Sequence, residues 1–373
     1  MREYAVDLLI GMVEIYSPSG KEGELANFLS NEMAKLGFDV KIDRVGNVIG
    51  RLGEGRPRVM LCGHMDTIPG FINVRVKEGI LYGRGAVDAK GPLATMILSA
   101  AQLADEGYEG EIIVVGAVDE EGRGQGVKHL IQKEIDVDYA VFGEPTNVET
   151  MTIGYKGSLH ISITLETETG HSSAPWLFEN SVEKAIEIWE LIKDRFASKE
   201  IEESKFNTVT TCLRRVEGGG QGSVVPNRCE MHIELRIPPS ITITQFQGDV
   251  LELIDGYRRQ NPAVNIKVEI LDSTEPYVAD RRSLLVRALT RSIWKVRKTQ
   301  AKLIYKTGTG DMNVFGNATG KPTITYGPGD SHLDHTPNEH IALVDYLNSI
   351  EVLKEALRGL FEMHRKSLAE SSI

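Results

Sequence analysis

The chain has 373 residues, of which 41% are hydrophobic and 25% are charged, and its formal net charge is −11. This length suggests about two domains, and the acidic balance argues against a nucleic-acid-binding surface. No segment approaches the roughly 18 uninterrupted apolar residues of a membrane-spanning helix, so no membrane association is expected. The three cysteines, Cys62, Cys212 and Cys229, are odd in number and widely spaced. This pattern favours a cytoplasmic protein over a disulfide-stabilised one.

Helical and strand-like segments alternate along the first 150 residues. The apolar spacing predicts helices and strands in these ranges: helices 5–15, 24–35 and 91–107; strands 38–51, 58–64, 111–118 and 138–145. Residues 79–85 form a short segment bounded by turns. The segment EIIVVGAV has the continuous apolar character of a buried parallel strand. Strands separated by helices predict a doubly wound α/β sheet.

The pattern changes after residue 155, where GSLHISITLETETG alternates like a half-exposed strand. The following segments predict a β-α-β-β-α-β order, which is the ferredoxin-like arrangement: strand 157–170, helix 181–197, strands 207–216 and 225–237, helix 243–258 and strand 264–271. Helix and strand then alternate again, up to a helix at 341–364. We therefore expect a mixed doubly wound domain (1–155 and 272–373), interrupted by an inserted ferredoxin-like α+β domain (156–271).

Potential metal ligands follow the ends of several predicted strands. His64 ends one strand, and Asp66, two residues on, can lie on the same face and orient its imidazole. Glu144 leaves another buried strand. Residues 119–121 are consecutive acids after a third strand, and they repel one another unless a cation offsets their charge. A chance polar strand end and a solvated acidic loop are the plainer interpretations.

Two further segments add to this set. Asp88 precedes a glycine-flanked helix start, where an aspartate serves either as a ligand or as a helix cap. His332, His335 and His340 fall within nine positions of a chain that has nine histidines. Histidine with several carboxylates suits zinc, cobalt or manganese, and can hold two ions about 3.5–4 Å apart. A nucleotide site is disfavoured because the chain lacks a phosphate-binding GxxxxGKS or GxxxxGKT loop.

Six motifs occur in order between residues 63 and 340: GHMDTIPG, GRGAVDAKGPLA, DEEGRGQG, GEPT, GHSSAP and HTPNEH. They resemble the zinc-dependent aminoacylase and carboxypeptidase family, which includes acetylornithine deacetylase and succinyl-diaminopimelate desuccinylase. The resemblance implies a dinuclear metal amidohydrolase that uses two divalent ions, Zn²⁺ or Co²⁺. It also implies a homodimer that is joined through the inserted domain.

The resemblance assigns roles to individual residues. Five positions match the metal ligands, with the aspartate bridging both ions: His64, Asp88, Glu121, Glu144 and His335. Asp66 matches the carboxylate that orients the first histidine, and Glu120 matches the general base. His171 matches a histidine that, in dimeric relatives, reaches the partner's active site and stabilises the oxyanion. His332 and His340 do not match, and a cis peptide bond after Asp88 is implied.

Within the family, YKTGTGDMNVFG (305–316) and GPGDSHLDHTPNEHI (327–341) resemble the lysine-biosynthesis branch. These enzymes release lysine or ornithine from the C-terminal glutamate of the acidic amino-group carrier protein LysW, in lysine and arginine biosynthesis. The resemblance implies six substrate contacts: Asn227, Arg236, Thr307, Gly308, Thr309 and Asn313. For Arg236, a purely structural role on its strand is an equally good interpretation.

The predicted inserted domain has more acidic than basic residues, so its net charge does not attract an acidic carrier. A local basic groove near Lys156, Arg214 and Arg215 would supply such attraction. The alternative function is therefore a deacylase of N-acetyl-lysine, N-acetylornithine or succinyl-diaminopimelate, or a dipeptidase. A metal-binding protein without catalysis is disfavoured because Glu120 and all five ligand positions are present.

Overall fold

The computed structural model describes residues 2–197 and 204–371. They form two compact units. Unit 1 comprises the chain up to Gly154, Ala279–Tyr305 and the chain from Gly310 onward. Unit 2 comprises Tyr155–Val278 and the short segment Lys306–Thr309. Within the described ranges, no helix is long and apolar enough to cross a membrane.

Helices and strands are interspersed along the whole of the described chain. Up to residue 155 they are α1 Arg2–Glu14, α2 Gly23–Lys35, β1 Asp39–Ile42, β2 Val48–Glu54, β3 Arg58–His64, β4 Arg75–Lys77, β5 Ile80–Tyr82, α3 Lys90–Glu106, β6 Gly110–Ala117, α4 Gln125–Gln132, β7 Tyr139–Gly143 and β8 Thr150–Tyr155. From residue 157 they are β9 Gly157–Glu166, α5 Ser181–Phe196, β10 Thr210–Gly218, β11 Arg228–Ile237, α6 Ile243–Gln260, β12 Asn265–Thr274, β13 Tyr277–Val278, α7 Leu284–Arg297, β14 Lys302–Lys306, α8 Asp311–Thr319, β15 Thr323–Thr325, β16 His340–Ala342 and α9 Leu343–Ser371. Short 3₁₀ turns lie at Pro175–Leu177 and Ser331–Leu333.

The large sheet of unit 1 contains the run β1-β2-β6-β3-β7-β15-β8. Strand β3 is parallel to β6 on one side and to β7 on the other, with Leu61 opposite Val114 and Val141. Strands β1, β2 and β8 pair antiparallel, so the sheet is mixed. Helix α3, which is buried along most of its length, lies against β3. This confirms the predicted mixed α/β fold.

The prediction of one continuous strand over 38–51 was wrong, because the chain reverses direction within this segment. It is a hairpin of β1 and β2 with a turn at Asp43–Asn47. The Asp43 carboxylate accepts hydrogen bonds from the backbone amides of Val45, Gly46 and Asn47. Gly46 has a φ of 105°, a conformation that favours glycine. The aspartate and the glycine form a turn here, whereas the apolar pattern alone indicates one continuous strand.

Unit 2 has a four-stranded antiparallel sheet in the order β10-β11-β9-β12. Helices α5 and α6 pack against it, and Ile188, Phe246 and Ile254 belong to the same buried cluster as alternate residues of the strands. The element order is the predicted β-α-β-β-α-β. Strand β9 is more buried than its alternation indicated because it lies between β11 and β12.

A small third sheet, β16-β5-β4, belongs to unit 1. Its register places His340 opposite Tyr82 and Ile341 opposite Leu81. The backbone N–H of Gly83 donates to the carbonyl of Glu339 at 3.3 Å. This sheet therefore fixes the C-terminal histidine-rich loop against the segment that leads to Asp88.

Candidate metal centre

The proposed metal ligands gather at one edge of the large sheet. His64 is the last residue of β3, Glu120 and Glu121 follow β6, and Glu144 follows β7. These three strands are adjacent and parallel, so their carboxyl ends meet at the same edge. Sites in α/β sheets form at this edge because the loops that leave the strands converge there.

Asp88 lies between two sets of potential ligands. In one set, His64 Nε2 is 3.0 Å from Asp88 Oδ1 and 3.7 Å from Glu144 Oε1. In the other, His335 Nε2 is 3.2 Å from Asp88 Oδ2 and 2.8 Å from Glu121 Oε1. Within each set, the ligand atoms lie within 4.8 Å of one another. The two oxygens of Asp88 thus face different imidazoles, as a carboxylate that bridges two ions requires.

The chemistry of these donors fits divalent cations. Three carboxylates and two imidazoles, with the Glu120 carboxylate beside them, suit zinc and its neighbours in the first transition row. Four carboxylates lie in these overlapping groups. Burial raises the pKa of Glu120 well above its usual range, and it also raises that of Glu121. A hydrogen bond with Asp88 raises the pKa of His335 to about 9. Two divalent ions would offset this charge.

Asp66 organises the site through its carboxylate and its backbone. The fully buried carboxylate accepts hydrogen bonds from the backbone amides of Glu120 and Glu121, each at 3.0 Å, and from Ser19 Oγ at 2.7 Å. His64 Nδ1 is 2.8 Å from the Asp66 carbonyl oxygen, whereas the carboxylate Oδ1 is 3.6 Å away. The backbone carbonyl is therefore the nearer partner of the imidazole, and the carboxylate fixes the loop that carries both glutamates.

The backbone of the site departs from ordinary geometry at three points. Asp119 and His335 have φ values of 62° and 61°, in the left-handed region. Residues other than glycine adopt this conformation mainly where the surrounding structure imposes it, often at functional sites. The peptide bond between Asp88 and Ala89 is cis, which confirms the implied cis bond.

A model of the peptidase family M20/M25/M40 matches residues 60–359. The chain belongs to this family. A Thermococcus kodakarensis protein, provisionally named as a LysW-lysine/LysW-ornithine hydrolase, is 40% identical over 99% of this chain and 96% of its own. The LysW-lysine/LysW-ornithine hydrolase of Sulfurisphaera tokodaii is 32% identical over 93% and 95%. The LysW-lysine hydrolase of Deinococcus radiodurans is 33% identical over 95% and 97%.

Solved structures of similar fold include two peptidases. A Staphylococcus aureus tripeptidase matches with a TM-score of 0.83 and 21% identity, over 97% of this chain and 99% of its own. A metallo-carboxypeptidase of the M20 family from Sulfolobus solfataricus matches with a TM-score of 0.79 and 20% identity, over 96% and 99%. At these identities the likeness shows the fold alone.

The histidines that do not match the family pattern lie outside the clusters. His332 is exposed and its Nδ1 is 2.8 Å from Asp330 Oδ1. His340 packs against the ring of Tyr82 and contacts the carbonyl oxygen of Asn338. Among the described residues, neither belongs to a group that could hold a metal ion.

Several predicted site residues belong to unit 2. His171 is exposed in the loop between β9 and α5, where its Nδ1 accepts a hydrogen bond from the Ser173 backbone N–H at 3.2 Å. Arg236, near the end of β11, donates to Thr309 Oγ1 at 3.1 Å and pairs with Glu234. The structure therefore brings Arg236 and Thr309 together.

The remaining predicted contacts are divided between the two units. Thr307 and Gly308 belong to the short segment that joins unit 2, and Asn227 is exposed just before β11. Asn313 is fully buried in α8 of unit 1, where its Oδ1 accepts from the Gly310 backbone N–H at 3.2 Å. Its side chain therefore also caps the start of α8.

Sequence reasoning gave no role to several charged and polar residues next to the ligands. Ser19 contacts Asp66, and the Glu22 carboxylate accepts from the Asp119 backbone N–H at 3.1 Å. Desolvation raises the pKa of Asp311 to about 7. Glu339 is another such residue, and its position within the HTPNEH motif was the one signal in the sequence that could have identified it. A motif can mark such a residue, but it does not show which groups the residue contacts, because those groups are distant in the sequence.

Proposed function

We propose that this chain is a dinuclear metal amidohydrolase that releases lysine or ornithine from the C-terminal glutamate of a LysW-type carrier protein. The observation that supports it most is the placement of Asp88 between His64 and His335, with Glu120 beside them. The names of the full-length relatives point to the substrate. The carrier is the proposed partner, and the cytoplasm is the proposed location.

Two groups of side chains would hold the ions. His64, Asp88 and Glu144 would hold the first, and Asp88, Glu121 and His335 would hold the second. Zn²⁺ and Co²⁺ both suit these ligands. When bound, two such ions supply an acidified water molecule and polarise the amide carbonyl.

Glu120 is the proposed general base. Its carboxylate takes a proton from the attacking water, whose oxygen bonds to the carbonyl carbon of the amide. The C–N bond then breaks as the same carboxyl returns the proton to the leaving amine. The remaining proton of the water also passes to the amine, so the products are the carboxylate of the carrier glutamate and an ammonium group. The carboxyl group of Glu120 must hold the proton between the two steps. The Asp66 carboxylate accepts a hydrogen bond from the backbone amide of Glu120 and so keeps Glu120 in place.

His171 is the proposed donor to the oxyanion. The Ser173 backbone N–H donates to Nδ1, so in the neutral imidazole the proton resides on Nε2. Nε2 is then a hydrogen-bond donor, as oxyanion stabilisation requires. The lysine or ornithine part of the substrate has a carboxylate, and Arg236, held by Thr309, is the proposed partner for it. Four further residues are proposed contacts: Asn227, Thr307, Gly308 and Asn313.

We further propose that residues 156–271 form an inserted dimerisation domain, with unit 1 as the catalytic domain. The four-stranded sheet of unit 2 has β10 and β12 as its outer strands. Outer strands have backbone groups that can pair with a second chain. In the proposed homodimer, His171 acts in the active site of the partner subunit.

Product analysis by mass spectrometry tests the substrate. Enzyme loaded with zinc or cobalt is offered carrier-linked lysine, carrier-linked ornithine, N-acetyl-lysine and N-acetylornithine. We expect release of the free amino acid from the carrier-linked substrates. Release from the acetyl compounds alone would contradict the carrier assignment, and would support the small-molecule deacylase that the acidic net charge leaves as the alternative.

A further inference from the structure

Glu339 is a buried carboxylate beside the proposed metal centre, and its three hydrogen-bond partners are all donors. Its Oε1 accepts from the backbone amides of Val87 at 3.0 Å and Asp88 at 3.1 Å. Its Oε2 accepts from Arg84 Nη1 at 2.8 Å. Only 1% of the residue is exposed. Among the described residues it belongs to none of the groups that could hold a metal. Its two oxygens instead accept hydrogen bonds from groups of the protein.

Arg84 holds the second carboxylate oxygen of Glu339. The guanidinium is buried, and its Nε donates to the carbonyl oxygen of Gly70 at 3.1 Å. The backbone of Glu339 is also fixed, because its carbonyl accepts from Gly83 and the next residue begins β16. The carboxylate therefore has a defined position from which it can fix a third group.

That third group is the backbone of Asp88. The two oxygens of Asp88 face His64 and His335, so a shift of its backbone would move the one ligand that both sets share. We propose that Glu339 is a positioning residue which fixes Asp88 through the backbone amides of Val87 and Asp88, and that Arg84 holds Glu339 for this task. Groups that orient metal ligands in this way control metal affinity. The proposal concerns the metal centre and is independent of the substrate.

A different role for Glu339 is to neutralise Arg84 in the protein interior. The two roles predict different results when both side chains change. In Glu339→Met, the amides of Val87 and Asp88 lose their acceptor and the arginine is left buried without its carboxylate. In Glu339→Met combined with Arg84→Met, two apolar side chains of similar size replace the ion pair, which is often neutral or stabilising.

The experiment measures Co²⁺ binding to chelator-treated, full-length protein by calorimetry, together with the visible spectrum of bound Co²⁺ and the melting temperature of the metal-free protein. Four variants are compared: Glu339→Gln, Glu339→Met, the double Met variant, and Tyr346→Phe. The last is the control, because the buried Tyr346 hydroxyl donates to the carbonyl of Ala5, and these residues are not part of the proposed site.

We expect Co²⁺ affinity about 10–100-fold weaker and an altered Co²⁺ spectrum in both variants with Glu339→Met. The double variant should melt at a higher temperature than Glu339→Met yet bind Co²⁺ equally weakly. Glu339→Gln, which retains one acceptor oxygen, should lie between Glu339→Met and the wild type. The control should bind Co²⁺ with unchanged affinity.

Wild-type Co²⁺ affinity and spectrum in the double variant would overturn the positioning role, because the ion pair alone would then explain Glu339. A wild-type protein that binds no Co²⁺ would overturn both this inference and the proposed metal centre. Carrier hydrolysis is not part of the measurement, so failure of the substrate assignment would be seen separately.

Discussion

Asp66, Asp88 and Glu120 have the same functional group, and their surroundings suit them to the different tasks proposed for them. Asp88 has one oxygen near each of two imidazoles. Asp66 accepts from two backbone amides and a serine hydroxyl, so its charge is already satisfied by the protein. The Glu120 carboxylate lies beside His64 and Glu121, where it can take a proton from the attacking water of the proposed mechanism. Three carboxylates in one site can thus serve as bridge, support and base.

Replacing the proposed base tests this division of tasks directly. Glu120→Gln keeps the size of the side chain and removes its ability to take a proton. We expect kcat to fall by about 10²–10⁴-fold, the usual contribution of general acid–base catalysis. Because the five proposed ligands stay in place, the variant should retain its metal. Steady-state kinetics and elemental analysis of the same preparation measure both quantities.

Glu54→Gln is the matched control for that experiment, since Glu54 is exposed at the end of β2. It should leave kcat and metal content unchanged. Near-normal turnover in Glu120→Gln with full metal content would show that another group takes the proton.

The sequence predicted which residue types would gather at the site but not how they are held. His64, Glu121 and Glu144 could be found because each follows a strand of the same predicted sheet. Glu339 could not be given a role, because two of its three partners are backbone amides 251 and 252 positions away. Backbone amides have no sequence signal, so contacts of this kind become visible only in the fold.

At the scale of elements, the site depends on where strands end and helices begin. The order β6-β3-β7 places three loops side by side. Alternating helices and strands predicted one sheet with these loops at its strand ends, but not this order. The close approach of helix α4 to the end of β6 could not be predicted either. There, the Asn47 side chain accepts from the Val118 backbone N–H and donates to the Gly126 carbonyl. These contacts fix the loop that carries Glu120 between β6 and α4.

Gly126 permits this approach. A Cβ atom at this position would lie 2.6 Å from Asn47 Oδ1 and 2.6 Å from the Val118 carbonyl oxygen. Gly126→Ala must therefore displace α4 from the end of β6. We expect a loss of about 1–3 kcal/mol in the free energy of unfolding, as for other overpacked sites. A reduced kcat should accompany it because the loop of Glu120 moves. Denaturant unfolding and steady-state kinetics measure the two effects.

Gly359→Ala in α9 is the control for added volume, since a Cβ there would have no neighbour within 4 Å. It should stabilise the protein by roughly 0.5–1 kcal/mol, because alanine is the better residue within a helix, and leave kcat unchanged. If Gly126→Ala behaves in the same way, the close approach of α4 does not control the loop.

At the scale of the whole chain, the proposed functional residues are divided between two units. All five proposed metal ligands and Glu120 belong to unit 1, whereas His171, Arg236 and Thr309 belong to unit 2. The change from helix–strand alternation to β-α-β-β-α-β order could be read from the sequence. The short segment Lys306–Thr309, which joins unit 2 from a distant part of the chain, could not, because four residues have no pattern of their own.

Mixing two inactive variants tests the proposed dimer together with the role of His171. His171→Ala should lower kcat by about 10²–10³-fold, as loss of an oxyanion donor does, and Glu120→Gln lacks the base. If His171 acts in the partner's active site, a mixed dimer has one site with an intact Glu120 from one subunit and an intact His171 from the other. Dissociating and reassociating the two variants together should therefore restore turnover, while each variant treated alone stays inactive. Sedimentation of the wild type as a monomer would rule out the proposed dimer, and a mixed dimer without recovered turnover would exclude action of His171 across subunits.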